Sequence, residues 1–237
     1  MSESMTVETI VEADWLLKGF WTKLRFPIKT ENGGWSDIDI LCYEPELREL
    51  VISESKVRGP KKAIYAFTKE TQKKHSNFVK YEEKDYLSFL RHIKLACTDG
   101  TIFAHFDKMV NKLIIQLVSN YFIPKEIRLD EEEAVLKRVR KDVPVKVKLE
   151  VKLENTLDIL SRIIELENEN KQGRRYGHPV IDMARELNRY MHPEIRNAGR
   201  GKATADIKKV FVKELCDALG ISVASQKESL SKCFRKP

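Results

Sequence analysis

Cysteine is scarce and scattered: Cys42, Cys97, Cys216 and Cys233 stand far apart, with no C-x-x-C pair among them. That usage fits a reducing, cytoplasmic setting better than a disulfide scaffold or a thiolate zinc site. No segment approaches the roughly 18 to 20 consecutive apolar residues of a spanning helix, so no membrane role is expected. The N-terminus, Met1-Ser-Glu-Ser-Met5, is polar and acidic and lacks the basic and apolar stretches of a signal peptide. Gly199-Arg-Gly-Lys202 lacks the Gly-x4-Gly-Lys-Ser/Thr spacing of a phosphate-cradling loop, and no apolar strand precedes it. His92 and His105 have no metal-ligand spacing and are read as structural or surface residues.

What remains is a charged globular chain. Its 237 residues are 42% hydrophobic and 33% charged, enough for one large or two modest domains. The net charge of +7 is unevenly spread: residues 171–237 hold 15 Lys/Arg against 7 Asp/Glu, and residues 1–170 hold 28 against 29. A near-neutral module followed by a basic one suggests a catalytic part joined to a part that grips a polyanion; basic helices facing solvent are the plainer account.

The most informative stretch runs from Gly33 to Lys56. Ser36–Tyr43 and Leu50–Val57 are rich in Ile, Leu and Val and read as strands, joined by the short Pro-containing connection Glu44–Arg48 that returns the chain antiparallel. Side chains alternate along a strand, so Asp37 and Asp39 share one face of the first, and Glu54 and Lys56 share one face of the second. Two or three carboxylates and one amine then converge. Such a cluster repels itself unless a cation or proton occupies it, and oxygen-only ligands favour a hard ion, Mg2+ or Mn2+. Lys56 would orient or deprotonate a metal-bound water, or stabilise charge on a phosphate. The plainer account is an ion pair on a solvated strand; against it, Leu50 and Ile52 lie on the same face as Glu54, and a buried charged pair needs a reason. Asp39 lies deeper in its strand than Asp37, followed by Ile40 and Leu41.

At these residues the chain resembles the PD-(D/E)XK nuclease superfamily, with Asp39 in the place of the Asp and Glu54-Ser55-Lys56 in the place of (D/E)XK. Glu8 on the amphipathic stretch Val7–Leu17 precedes Gly19-Phe20 by 11 residues, a spacing similar to that of archaeal Holliday-junction-resolvase-like members. The resemblance covers roughly the first 120 residues. Ile38 rather than Pro precedes Asp39, Asp37 competes with Asp39, and Glu12 competes with Glu8. It implies an α/β, restriction-endonuclease-like αβββαβ core with a mixed central sheet. It also implies an Mg2+-dependent (or Mn2+-dependent) endonuclease hydrolysing phosphodiester bonds in DNA, RNA being the other candidate substrate. Asp39, Glu54 and Glu8 would be metal ligands, Asp37 the alternative, and Lys56 would act at the attacking water. Cutting both strands of a duplex would favour a homodimer.

Around that core, Arg58, Lys61, Lys62, Lys73 and Lys74, interleaved with Tyr65 and Phe67, form a basic run suited to phosphates, and the resemblance implies a supporting polar residue on the following helix, for which Gln72 or Lys73 could serve. Glu83–Cys97 reads as a helix covering the sheet, Leu113–Val118 as a buried central strand, and Asp130–Lys141 as a helix with Asp130 as N-cap. Val143–Leu153 alternates as an edge or hairpin strand whose second half could instead begin the helix Thr156–Asn170. These elements divide the chain into a nuclease-like core over 1–142, a connecting strand and helix over 143–170, and a basic helical region over 171–237. In the last, Arg174, Arg175, Arg200 and Lys202 are nucleic-acid-binding candidates. Two rival classes remain: a nuclease-fold protein that binds nucleic acid without cutting, and a helical interaction or assembly protein in which Glu-x-Lys is coincidental.

Overall fold

A computed structural model describes residues 3–30, 32–56, 68–75, 90–91, 93–95, 97, 102, 110–119, 125–143, 146–169 and 175–190. Helix α1 (Glu3–Leu17) ends where Gly19, at φ 89, takes the left-handed conformation, with the amides of Phe20 and Gly19 donating to the carbonyls of Trp15 and Leu16. These two bonds are the 6→1 and 5→2 pair that satisfies the last helical carbonyls, and they turn the chain into the sheet.

Strands β1 (Trp21–Lys29), β2 (Trp35–Glu44) and β3 (Glu49–Lys56) form an antiparallel meander. The β1–β2 turn closes through Thr30 N–H to Gly34 O and Gly33 N–H to Thr30 O, with Gly33 at φ 79 as the left-handed residue that ends the tight turn. Pro27 is tolerated because β1 is an edge strand. Beyond β3 come the short helix α2 (Lys69–Lys74), strand β4 (Lys112–Ser119), helix α3 (Lys125–Val139) with a 3-10 turn at Arg140–Asp142, strand β5 (Lys148–Asn155), and helices α4 (Thr156–Glu169) and α5 (Pro179–Tyr190).

The five strands lie in the order β1-β2-β3-β4-β5, with β3, β4 and β5 mutually parallel. The fold is thus mixed α/β on a mixed sheet. Leu113, Ile115 and Leu117 of central β4 face one layer, with Leu50 and Ile52 of β3, Leu90, Ile93, Leu95 and Cys97, and Val135 of α3. Ile114 and Val118 face the other, with α1, α4, and Ile181 and Ala184 of α5. A strand buried on both faces reads as a near-continuous apolar run, as Leu113–Val118 does with Gln116 its one polar residue.

Two element boundaries differ from the sequence expectation. Helix α3 starts at Lys125, so Asp130 lies inside it and accepts from Lys74 and His75 at 3.0 and 2.7 Å instead of capping. The strand expected from Val143 starts at Lys148 and lies at the sheet edge, as its alternation suggests: its register against β4 pairs Leu149 with Leu113, Val151 with Ile115 and Leu153 with Leu117. Residues 148–169 supply the fifth strand and a helix packed on α1, and α5 packs in the same layer. His92, His105, the linker at 171–174 and everything beyond residue 190 lie outside the described residues.

A buried polar chain binds α1 to α4, β4 and β5. Asp14, fully buried, accepts from Arg162 Nε and Nη2 at 2.8 and 2.7 Å and from Lys18 Nζ at 2.6 Å. Arg162 Nη1 donates to Glu154 at 2.5 Å, Gln116 donates to the other Glu154 oxygen at 2.6 Å, and Trp15 Nε1 donates to Gln116 at 2.8 Å. Every charge in it has an opposite neighbour, the condition for keeping charges in a core.

Candidate active site

Register locates the site. Along β2 each residue has a Cα partner on β1 or β3 except Asp39, and along β1 each has one on β2 except Arg25. The two face each other, since Leu24 pairs with Ile40 and Phe26 with Ile38. Arg25 adopts φ 53, left-handed backbone that costs a non-glycine L-residue about 1–2 kcal/mol. The hairpin exchanges its faces at this rung. Leu24 and Ile40 pack under α1, whereas Phe26, Ile28 and Ile38, of the same parity, pack in the opposite layer. On the other side, β2–β3 pairing ends at Ile40 and Ser53, so Asp39 and Glu54 stand where the strands part.

The released Asp39 is held by side-chain bonds instead. Its Oδ2 accepts from Ser55 N–H at 2.7 Å and from Ser55 Oγ at 3.0 Å. Arg25 closes the cluster: Nη2 donates to Glu8 Oε1 at 2.7 Å, and Nη1 lies 3.2 Å from Asp37 Oδ2 and 3.8 Å from Asp39 Oδ1. Burial, then the negative charge of Asp39, pushes the Glu8 carboxyl up to about 7 against the opposing pull of Arg25.

Between the competing carboxylates, the geometry brings Glu8 to the cluster. Glu12 is turned away, accepting from Thr22 Oγ1 at 2.8 Å with His178 Nε2 at 3.5 Å. His178 and Thr22 hold it below the ordinary carboxylate range despite its burial. Asp39 is the more enclosed aspartate, 14% exposed against 42% for Asp37. Glu54 is buried with Leu50 and Ile52, as their shared face predicts. Lys56 is the last residue of β3, opposite Ser119 of β4. Among the described residues no group of three or more His, Cys, Asp or Glu side chains is arranged to hold a metal ion.

Of the basic candidates, Lys74 is engaged by Asp130, and Lys73 and Arg175 are exposed. Arg58, Lys61, Lys62, Arg174, Arg200 and Lys202 lie outside the described residues. Arg25, which sequence reading passed over, joins the site, and Trp35 stands exposed nearby in the chain. Arg25 could have been found from hairpin register, which sets it opposite Asp39. Trp35, 68% exposed, stands at the head of β2 opposite Lys29, two residues before Asp37 and on its parity. Cys42 and Cys97 are buried, and burial raises both thiols, Cys97 to about 12, which suits inert core residues.

Comparison of the chain with family models, curated proteins and solved structures finds no match.

Proposed function

We propose that this chain is a metal-dependent nuclease of PD-(D/E)XK type, cutting DNA on a restriction-endonuclease-like core formed by α1, β1–β3 and β4. The observation that carries this reading is the rung at Asp39. Asp39 has no Cα partner on either neighbouring strand and shares the Arg25 guanidinium with Glu8 of α1 and with Asp37; Glu54, buried just beyond the last β2–β3 pair, would complete an oxygen-only donor set.

The donor set fits a hard divalent ion in kind. Asp39, Glu54 and Glu8 would hold it, with Asp37 at the rim. Ser55 fixes one Asp39 oxygen, leaving Oδ1 on the side of Arg25 and Glu8. A bound Mg2+ or Mn2+ supplies Lewis-acid polarisation of the scissile phosphate and acidified water. Lys56, two residues beyond Glu54, would orient that water or take its proton, so that water oxygen attacks phosphorus and the bond to the leaving sugar oxygen breaks. Exposed Trp35 and Lys29 at the hairpin tip support a nucleic-acid substrate, a base stacking on the ring and a phosphate meeting the amine.

Incubating the purified chain with supercoiled plasmid, linear duplex, single strands and a four-way junction, each with Mg2+ or chelator, tests the reading. Glu54→Ala and Lys56→Ala should abolish divalent-dependent cleavage while leaving the fold and DNA binding intact. Unchanged cleavage by Lys56→Ala overturns it. A second reading, nucleic-acid binding without cutting, is favoured by the hold of Arg25 on three carboxylates. Salt-dependent binding with no turnover at any divalent ion would select it.

A further inference from the structure

We propose that Arg25 is the resident counter-ion of the carboxylate cluster, a latch that a divalent cation must displace to enter; the inference rests on the metal-binding reading above and concerns the regulation of that site. Three carboxylates, Glu8, Asp37 and Asp39, share this one guanidinium at 2.7, 3.2 and 3.8 Å. The buried Asp14 cluster differs in kind. There Arg162 and Lys18 both serve Asp14, and the charges are matched deep under α1. At Arg25 negative charge is in excess among the described side chains, so a cation of higher charge competes for the same oxygens, and the two positive groups exclude each other.

The backbone marks this residue, and the surroundings permit release. Arg25 holds a left-handed φ of 53 that its side chain does not favour, and it has left the β1–β2 ladder. Strain kept at one residue in an otherwise regular strand points to a function for that residue. Its side chain is 44% exposed, against 5% for Glu8, so it can swing into solvent while the carboxylates stay. Linkage then requires that whatever frees Arg25 tightens metal binding, and that metal binding frees Arg25.

The test is calorimetric titration of the full chain with MnCl2 at one neutral pH, which needs no cleavage. Arg25→Asn removes the charge and keeps a residue that tolerates left-handed backbone; Arg25→Gly removes the side chain and the strain, and guards against misfolding of the first variant. Both should bind Mn2+ at least tenfold tighter than wild type, and Mn2+ should raise their melting temperature more. Arg25→Lys should fall between. Asp39→Asn should abolish binding in every background. Affinity unchanged or weaker in both Arg25 variants, with Asp39-dependent binding retained, overturns the latch and leaves the metal site standing. No Mn2+ binding by any of the chains overturns both.

Discussion

Removing Arg162 is the sharpest probe of how α1 is held against the sheet. Arg162→Ala deletes two hydrogen bonds to Asp14 and one to Glu154. Asp14, fully buried, is left with Lys18 alone, and Glu154 with Gln116. Breaking a buried ion pair by removing one partner costs about 3–5 kcal/mol, because the surviving charge stays desolvated. Arg162 is 30% exposed, so water can reach part of the vacated space, and Lys18 still neutralises Asp14; both move the expected loss to about 3 kcal/mol. Urea unfolding should show the midpoint falling with its slope unchanged, since native compactness is not at issue. The penalty comes from a stranded charge, so adding Asp14→Asn to Arg162→Ala should restore about 1–2 kcal/mol. A loss under about 1 kcal/mol, the worth of an exposed pair, or no recovery on adding Asp14→Asn, would refute the reasoning.

Glu8 makes stability fall with pH. Its folded pKa, about 7, lies above the ordinary 4.5, so the folded state binds the proton more tightly than the unfolded one, and stability declines as pH rises between those values. In chelator-treated protein, Glu8→Gln should gain on wild type by about 1–2 kcal/mol across that window and level off above it; a difference independent of pH would contradict the assignment. Gly19→Ala should cost about 1 kcal/mol, or about 2–4 °C in melting temperature, through backbone conformation alone, because no atom lies within 4 Å of the added Cβ. Trp35→Ala should leave stability within about 0.5 kcal/mol yet weaken binding of labelled single-stranded DNA by about tenfold in anisotropy titrations; equal affinity would remove the stacking role.

Period and turn chemistry made much of the fold legible. Gly33-Gly34 and the Glu44–Arg48 connection announce two hairpins, the mostly apolar run Leu113–Val118 announces a strand covered on both faces, and Gly19 announces the end of α1. What stayed hidden depends on contacts between residues far apart in the chain. Asp14 and Arg162 are 148 residues apart, and nothing local marks an acidic residue on one helix as the partner of a basic one on another. Lys148–Glu154 carries Leu149, Val151 and Leu153 at spacings that suit a strand or the start of a helix; the parallel ladder with β4 decides for the strand. Asp130 looks like a helix cap by residue type, but Lys74 and His75 claim its oxygens.

The site was half legible for a related reason. Period two puts Glu54 on the buried face with Leu50 and Ile52, and the structure keeps it there. The same rule, extended along β1 and β2, would leave Leu24 and Phe26 in one layer and Ile38 and Ile40 in one layer, and it fails for both pairs at one rung. Its failure follows from Arg25. A left-handed residue reverses which way the next side chain points, and the partner strand must reverse with it to keep Ile38 against Phe26. That reversal takes Asp39 out of both ladders, and Ser55 can then donate its amide to a carboxylate. Arginine at a position that glycine would occupy more cheaply is intelligible only if the guanidinium is needed, and its nearest acceptors are the three carboxylates that would otherwise repel one another. One backbone choice in β1 therefore opens the sheet at Asp39 and delivers the charge that neutralises the opening, so Arg25→Asn, which tolerates the left-handed backbone but loses the charge, should lower the urea midpoint of the metal-free protein.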